Sequence, residues 1–171
     1  QEIISVLQKK IFLLNGRKLI IIIGMKVLLC SVPYGTLEES LRPLTTFKFI
    51  RPIGITRLVD WMETKGYSGD IYDINNLRPS DEELTRVFKK INPTIVGLSA
   101  TLTHCYTNVK RITKLLRQLF PDIWIVVGGH ITSSANVILK KTDTDICVVG
   151  DGEMPWVKFL DYVKTHKKRQ Q

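Results

Sequence analysis

Short apolar runs alternate along the chain with longer segments in which apolar residues recur every three or four positions. Most of the runs, including 94–99 and 123–128, are nearly continuous in apolar and β-branched residues, which is typical of strands covered on both faces. The spaced segments have the period of amphipathic helices. The pattern predicts strands at 26–31, 71–74, 94–99, 123–128 and 145–150, and helices at 55–65, 81–91, 106–120, 133–141 and 153–167.

Strands that alternate with helices favour parallel β-α units joined by right-handed crossovers. We therefore expect an α/β fold, a flavodoxin- or Rossmann-like doubly wound domain with five parallel strands in the order 2-1-3-4-5. Ser80 and Glu83 have the spacing of a capping box at the start of the second helix. Residues 25–163 would form this domain, 1–24 an N-terminal extension made of a helix and an apolar run, and 164–171 a basic tail or linker.

Length and composition fit one globular domain, since the chain has 171 residues, 44% of them hydrophobic and 24% charged. These values exclude low-complexity disorder, collagen and disulfide-rich scaffolds. The net charge of +9 first suggests an anionic partner, but residues 1–24 carry +3 and residues 164–171 carry +4. The predicted domain is thus nearly neutral, and we do not expect it to bind nucleic acid, which requires a basic face or motif.

The three cysteines, Cys30, Cys105 and Cys147, are far apart in the sequence and form no C-x-x-C pair. Each lies in or next to an apolar run, so we expect buried thiols, a reducing compartment and a cytoplasmic protein. The longest apolar stretch, 19–30, has 12 residues and is interrupted by Lys26. A spanning helix needs about 20 apolar residues, so no membrane span is expected.

In a doubly wound sheet, ligands bind beyond the carboxyl ends of the strands, near the point where the strand order reverses. The first strand is followed by Ser31-Val-Pro-Tyr-Gly-Thr36, which contains one glycine. A dinucleotide site would need G-x-G-x-x-G at this position and a nucleotide triphosphatase a P-loop, so both are excluded. The connection from residue 32 to 53 is unusually long for a compact domain, and such loops are often functional.

The loops after strands three, four and five carry small and polar residues. Strand three runs into Ser99-Ala-Thr-Leu102, strand four into Gly128-Gly129-His130, and strand five into Gly150-Asp-Gly-Glu153. Glycines allow a bulky ligand to approach the backbone, so the three loops would suit a large flat ligand across the sheet edge. The alternative is that these glycines only form tight turns between strands and helices.

Three motifs in order, V-G-L-S-x-x-L at 96–102, F-P-D-I-W-I-V-V-G-G-H at 120–130 and D-x-x-V-V-G-D-G-E at 145–153, resemble a known pattern. It is that of the cobalamin-binding domain found N-terminal to the catalytic barrel in many radical S-adenosylmethionine enzymes. The resemblance runs from about residue 25 to residue 163. It implies a Rossmann-like domain that holds cobalamin between its sheet edge and a partner domain, which would be the C-terminal radical S-adenosylmethionine barrel.

The resemblance also implies which residues hold the cofactor. They lie in the three loops, on the side that would face the nucleotide tail of cobalamin. Gly54 is similar to the glycine that stands ahead of the first helix in this family. No catalytic residue and no protein ligand to a metal are implied within the chain. The cofactor-binding residues would be Ser99, Thr101, Leu102, Gly128, Gly129, His130, Thr132, Gly150, Gly152 and Glu153.

Two departures from related families qualify this expectation. The D-x-H-x-x-G motif of cobalamin mutases and methionine synthases is missing, because the loop after strand one has no histidine. The chain also has no C-x-x-x-C-x-x-C motif, so an iron–sulfur cluster and S-adenosylmethionine would belong to a catalytic domain outside it. We therefore expect a binding domain without a catalytic centre, belonging to a methyltransferase or a related enzyme, and present as a fragment, a separate module or a decayed copy.

Two other functions remain open from the sequence. A small flavodoxin-like hydrolase or transferase could use Ser99, His130 and Glu153, although three polar residues on three loops occur in many α/β domains. A cofactor-free interaction module would also lack catalytic motifs. The helical stripe that contains Trp156 and Leu160 is expected to pack in the core and not against a cofactor.

Overall fold

The computed structural model describes residues 7–14, 17–42 and 52–166. Its centre is a parallel five-stranded sheet in the order β4-β3-β5-β6-β7, which confirms the predicted strand order 2-1-3-4-5 for the five strands of the domain. The strand bounds are Val27–Ser31 (β3), Gly69–Asp73 (β4), Ile95–Ser99 (β5), Trp124–Gly128 (β6) and Ile146–Val148 (β7).

The five predicted helices are present, with ends shifted by up to two residues, and two short helices are added. The short ones, α1 and α3, follow β3 and β4 directly, where the sequence shows too few residues for a helical period. Single 3₁₀ turns at Thr103–Cys105 and His130–Ser134 precede two of the helices. The helix bounds are Leu37–Leu41 (α1), Ile53–Glu63 (α2), Ile74–Leu77 (α3), Asp81–Ile91 (α4), Tyr106–Leu119 (α5), Ala135–Lys141 (α6) and Glu153–Thr165 (α7).

The sheet is covered by helices on both faces, which explains its continuous apolar runs. Side chains alternate between faces along a strand, so Leu28 packs in one layer and Val27 and Leu29 in the other. The first layer lies against α4 and α5, for example at Phe88, and the second against α2 and α7, for example at Leu160. One face of the sheet is therefore bounded by α2 and α7.

The predicted capping box at the start of α4 is present. The Ser80 hydroxyl accepts a hydrogen bond from the Glu83 backbone N–H at 3.3 Å, and the Glu83 carboxylate accepts one from the Ser80 N–H at 2.9 Å. The same motif, Thr36 with Glu39, starts α1. Both boxes satisfy backbone donors that the first turn of a helix leaves without partners.

The helix expected in the N-terminal extension is wrong for the described residues. Leu7–Leu14 (β1) and Arg17–Gly24 (β2) are strands that pair antiparallel, with Ile11 opposite Ile20. Four consecutive isoleucines at 20–23 favour a strand because β-branched side chains lose rotamer freedom in a helix. The Asn15-Gly16 sequence between the strands is itself a signal for a two-residue hairpin turn.

Arg117 of α5 joins three chain segments at the amino edge of the sheet. Its guanidinium donates to the Pro121, Ile123 and Asp143 carbonyl oxygens at 2.8–3.0 Å, and to both carboxylate oxygens of Asp145 at 2.8 and 2.9 Å. Asp145 also accepts from the Ile125 N–H at 2.8 Å. Both side chains are mostly buried. The stability of this ion pair therefore depends more strongly on its hydrogen-bond geometry than that of a surface pair does.

We expect the change Arg117→Lys to lower the free energy of unfolding by about 2 kcal/mol, because a lysine ammonium cannot reproduce the planar fork of donors. The measurement is urea unfolding followed by circular dichroism. Arg86→Lys on the exposed side of α4 is the matched control, with an expected change within about 0.5 kcal/mol. Equal changes in both variants would contradict a structural role for Arg117.

Within the described residues, no helix has the length and apolar content needed to cross a membrane.

Candidate functional site

A cleft of about 310 Å³ opens at the carboxyl edge of the sheet, on the face covered by α2 and α7. The strand register builds it, because Ser99 of β5 pairs with Gly128 of β6, and Gly128 pairs with Val148 of β7. These three residues form a row across the sheet, and all three line the cleft. The volume lies at the lower end of the range for small-molecule sites.

The floor of the cleft is apolar. Leu29, Gly97, Val126 and Trp156 line it, and Trp156 is only 2% exposed. A methyl group at Gly97 would lie 2.5 Å from Leu29 Cδ2 and 2.9 Å from Trp156 Cη2, so the indole occupies the space that a larger residue would fill. A glycine inside a strand commonly marks such a close approach.

The mouth of the cleft is polar and is spanned by an ion pair. Arg57 Nε in the first half of α2 lies 3.0 Å from Glu153 Oε1 at the start of α7. Asp151 lies beside Glu153 in the cleft lining, and Ser99 faces both helices from the sheet. The pair places one positive and one negative group within reach of a polar part of a ligand.

The two adjacent glycines at the end of β6, Gly128 and Gly129, have different roles. A Cβ on Gly128 would meet no atom within 4 Å, so its surface is free to contact a ligand. Gly129 has φ of +90°, and a Cβ there would lie 2.5 Å from the Ala100 carbonyl oxygen. Gly129 is therefore needed for the close approach of two loops, and Gly128 is the one that leaves room in the cleft.

The structure brings together six of the ten predicted cofactor-binding residues. They come from three loops and meet in the lining of one cleft, as the order of the strands requires. Thr101, Leu102 and His130 lie outside the lining and are exposed on neighbouring loops, with Leu102 49% exposed. The six lining residues are Ser99, Gly128, Gly129, Gly150, Gly152 and Glu153.

Thr132, the tenth predicted residue, is buried below the loop surface. Its hydroxyl lies 2.7 Å from the Gly129 carbonyl oxygen and 3.1 Å from the Val148 carbonyl oxygen. These contacts connect the loop after β6 to the end of β7. Thr132 thus shapes the cleft from behind and does not line it.

Sequence reasoning missed the part of the cleft that α2 and the sheet floor provide. Ile53, Arg57 and Leu58 of α2 line it, and so do Gly97 and Trp156. The isolated glycine in the apolar run 94–99 was the available signal for the floor. Gly54, the glycine singled out ahead of the first helix, also lines the cleft, and a Cβ there would meet nothing within 4 Å.

The loop after β3 is held in place by side chains from two other elements. Asn108 of α5 donates to the Pro33 and Gly35 carbonyl oxygens at 3.2 and 3.4 Å, and the buried Ser40 hydroxyl lies 2.9 Å from Asn108 Oδ1. The Arg78 guanidinium lies 5.2 Å from the centre of the Tyr34 ring, at cation–π distance. Residues 32–42 thus form a fixed platform at the sheet edge.

Exposed apolar side chains surround the carboxyl edge of the sheet. They come from three connections, those that follow β3, β5 and β7, so their position at one edge follows from the topology and is not visible in any one segment. Exposed apolar side chains gathered at one edge of a sheet are candidates for a binding surface. The residues, called the apolar rim below, are Tyr34, Leu37, Ile53, Leu102, Val149 and Met154.

The three thiols are poor nucleophiles in this fold. Burial raises the pKa of the Cys30 thiol far above its ordinary value, and the nearby Asp73 carboxylate raises it further. Burial also raises the pKa of the Cys105 and Cys147 thiols.

Among the described side chains, no group of three or more His, Cys, Asp or Glu could hold a metal ion. An enzyme based on Ser99 would need His130, which lies outside the cleft lining.

Comparison with known proteins assigns this architecture to a family. Residues 45–160 match the family described as the B12 binding domain. The chain is 26% identical over 156 residues to cytidylyl-2-hydroxyethylphosphonate methyltransferase of Streptomyces wedmorensis, covering 81% of this chain and 28% of that protein. It is 24% identical over 117 residues to an uncharacterized methyltransferase of Pyrococcus horikoshii, covering 64% of this chain and 24% of that protein. The chain thus spans about a quarter of the length of these relatives.

Solved structures show the same fold. A cobalamin-binding protein of Desulfitobacterium hafniense superposes with a TM-score of 0.58 at 19% identity, covering 80% of this chain and 57% of the other. The methanol:cobalamin methyltransferase complex of Methanosarcina barkeri superposes with a TM-score of 0.56 at 15% identity, covering 85% of this chain and 52% of the other.

Proposed function

The chain belongs to the B12-binding domain family, whose cofactor is cobalamin, and from that premise we propose that the cleft between α2, α7 and the sheet holds the nucleotide tail of cobalamin. One observation carries this proposal, namely the agreement between the predicted loop residues and a cleft that is open at Gly128 and Gly150. A Cβ at either glycine would meet no atom within 4 Å. The backbone here leaves space that other residues would fill.

The chemistry of the lining fits the proposal. A nucleotide tail has an aromatic base, which suits the apolar floor at Leu29 and Val126, and a ribose and phosphate, which suit the polar mouth. Arg57 would face the phosphate, and Glu153 and Ser99 would hydrogen-bond the sugar hydroxyls. Trp156 Nε1 is buried, and the described residues provide it with no hydrogen-bond acceptor. An acceptor on a ligand in the cleft would satisfy this group.

The apolar rim would support the flat corrin ring. Tyr34 and Leu37 on the platform after β3, and Leu102 after β5, are each between 43% and 49% exposed. Covering such side chains with a corrin and a partner domain removes apolar surface from water. Thr101 and His130, which lie at the same edge, would contact the corrin periphery and not the tail.

We further propose that the whole protein is a radical S-adenosylmethionine enzyme of the methyltransferase type. The three loop motifs support this, and both curated relatives are named as methyltransferases. When bound, cobalamin supplies a transferable methyl group. This chain's residues would hold the cofactor and keep water from its tail, while the C-x-x-x-C-x-x-C cluster site would lie in a separate domain. Reading the flanking coding sequence tests this, and a locus without that motif would overturn it.

Retention of the cofactor is the direct test of the binding function. The purified chain is incubated with hydroxocobalamin, desalted, and examined by visible spectroscopy and protein assay. We expect about one corrin to co-elute with each chain. A protein fraction without corrin absorbance would overturn the assignment of the cleft, and it would favour the cofactor-free interaction module as the function.

A further inference from the structure

The indole N–H of Trp156 is the least satisfied polar group in the candidate cleft. The residue is 2% exposed, lines the cleft, and has no hydrogen-bond acceptor for Nε1 among the described residues. Native proteins pair nearly all buried polar groups, and an exception calls for an explanation. The residue's position in a ligand cleft points to a partner on the ligand.

The indole is held in one place by its neighbours. It fills the gap that Gly97 leaves in β5, where a methyl group would lie 2.9 Å from Cη2. The ring of Phe159 lies 5.8 Å from it, centre to centre, at an interplanar angle of 47°. A ring confined in this way offers its N–H in a narrow range of directions, so it can discriminate between ligands by the position of an acceptor.

The chemistry around the indole limits what the partner can be. The adjacent floor residues, Leu29, Gly97 and Val126, present no polar side chain. A phosphate or a sugar at this depth would leave most of its polar atoms unpaired, which is unfavourable. A flat aromatic heterocycle matches the floor and carries an acceptor in the ring nitrogen.

We propose that the Trp156 indole N–H donates a hydrogen bond to the ring nitrogen of the cofactor's terminal base and thereby selects nitrogenous bases. In free hydroxocobalamin this nitrogen is bound to cobalt, so the bond to cobalt would have to break for the base to enter the cleft, and the indole N–H would then replace cobalt as the partner of the nitrogen. This inference rests on the proposed function, because it places the nucleotide tail in the cleft. Nε1 is covered in this structure, so donation requires a movement of the residues that cover it.

The test compares two ligands and three proteins by equilibrium binding. Hydroxocobalamin carries a benzimidazole, whereas a phenolyl cobamide carries a base without a ring nitrogen. For Trp156→Phe we expect about a tenfold loss of affinity for hydroxocobalamin and no loss for the phenolyl cobamide. Trp61→Phe is the matched control, because Trp61 Nε1 is also buried without a partner but lies outside the cleft.

Each outcome separates the inference from the proposed function. If wild-type protein binds neither ligand, the proposed function fails. If wild type binds both and Trp156→Phe weakens both equally, the residue acts through packing, and the inference is overturned. Unchanged affinity for hydroxocobalamin overturns it as well.

A second measurement needs no variant at position 156 and therefore does not depend on the folding of Trp156→Phe. The chain has three tryptophans, so three indole ¹H–¹⁵N signals are expected, and Trp61→Phe and Trp124→Phe assign the third by elimination. We expect hydroxocobalamin to move the Trp156 proton signal downfield, as a new hydrogen bond does. A shift that also appears with the phenolyl cobamide would contradict the selection of a ring nitrogen.

Discussion

Replacing Gly128 with phenylalanine is expected to abolish cobalamin retention and to leave the thermal midpoint of the domain unchanged. A side chain at this position starts in open space, since a Cβ would meet no atom within 4 Å. An aromatic ring there would project into the cleft and occupy volume that the nucleotide tail would need under the proposed function. We expect affinity for hydroxocobalamin to fall on the order of 100-fold or more, because the displaced tail loses several kcal/mol of contacts.

Visible spectroscopy after desalting and a thermal melt together measure this effect. Gln118→Phe adds the same ring near the end of α5, on the exposed surface at the opposite edge of the sheet, and should retain cobalamin like wild type. Retention by Gly128→Phe at the wild-type level would show that the ligand does not enter the cleft beside this glycine.

The next residue should behave in the opposite way. For Gly129→Ala we expect the free energy of unfolding to fall by about 3 kcal/mol. Part of this loss comes from the backbone, because φ of +90° with ψ of −178° is a conformation nearly restricted to glycine and costs other residues about 1–3 kcal/mol. The remainder comes from the overlap of the new methyl group with the Ala100 carbonyl oxygen at 2.5 Å. In a domain of this size the thermal midpoint should drop by roughly 6–12 °C.

Gly150→Ala separates the two contributions. Gly150 also has a positive φ, of +82°, but a Cβ there meets no atom within 4 Å. The expected loss is therefore about 1–2 kcal/mol, which is the backbone contribution alone. Calorimetry on both variants makes the comparison, and equal losses would show that the approach of Ala100 to Gly129 contributes no stability.

The sheet topology could be predicted because local pattern and global fold agree. Each strand of the domain is short and, except for β4, continuously apolar, and each is followed by a helical period, so parallel pairing with right-handed crossovers was the consistent solution. The hairpin β1–β2 was missed because the segment Leu7–Leu14 has lysines next to apolar residues. Over only eight residues this pattern fits the period of a helix as well as that of a strand.

The candidate site was predictable only where it lies in sequence-local turns. Gly128 ends β6, and Gly150 and Glu153 lie between the end of β7 and the start of α7, so the rule that ligands bind at the carboxyl ends of parallel strands places all three at one edge. The floor residues depend on which face of β5 meets which helix, and this is fixed by tertiary packing. Trp156 was assigned to the core from its helical stripe, and it does pack there, but the same ring also forms part of the cleft.

The position of Arg117 affects how this domain can evolve. Its clamp on the segments before β6 and β7 lies at the edge opposite the cleft, so a mutation in the ligand loops leaves those bonds intact. Loop positions without a packing role, such as Gly128, can therefore change without loss of the scaffold, whereas Gly129 and Thr132 must be kept because the contacts between neighbouring segments depend on them. One sheet anchored at its amino ends could in this way serve a succession of catalytic partners, each with its own loops at the other end.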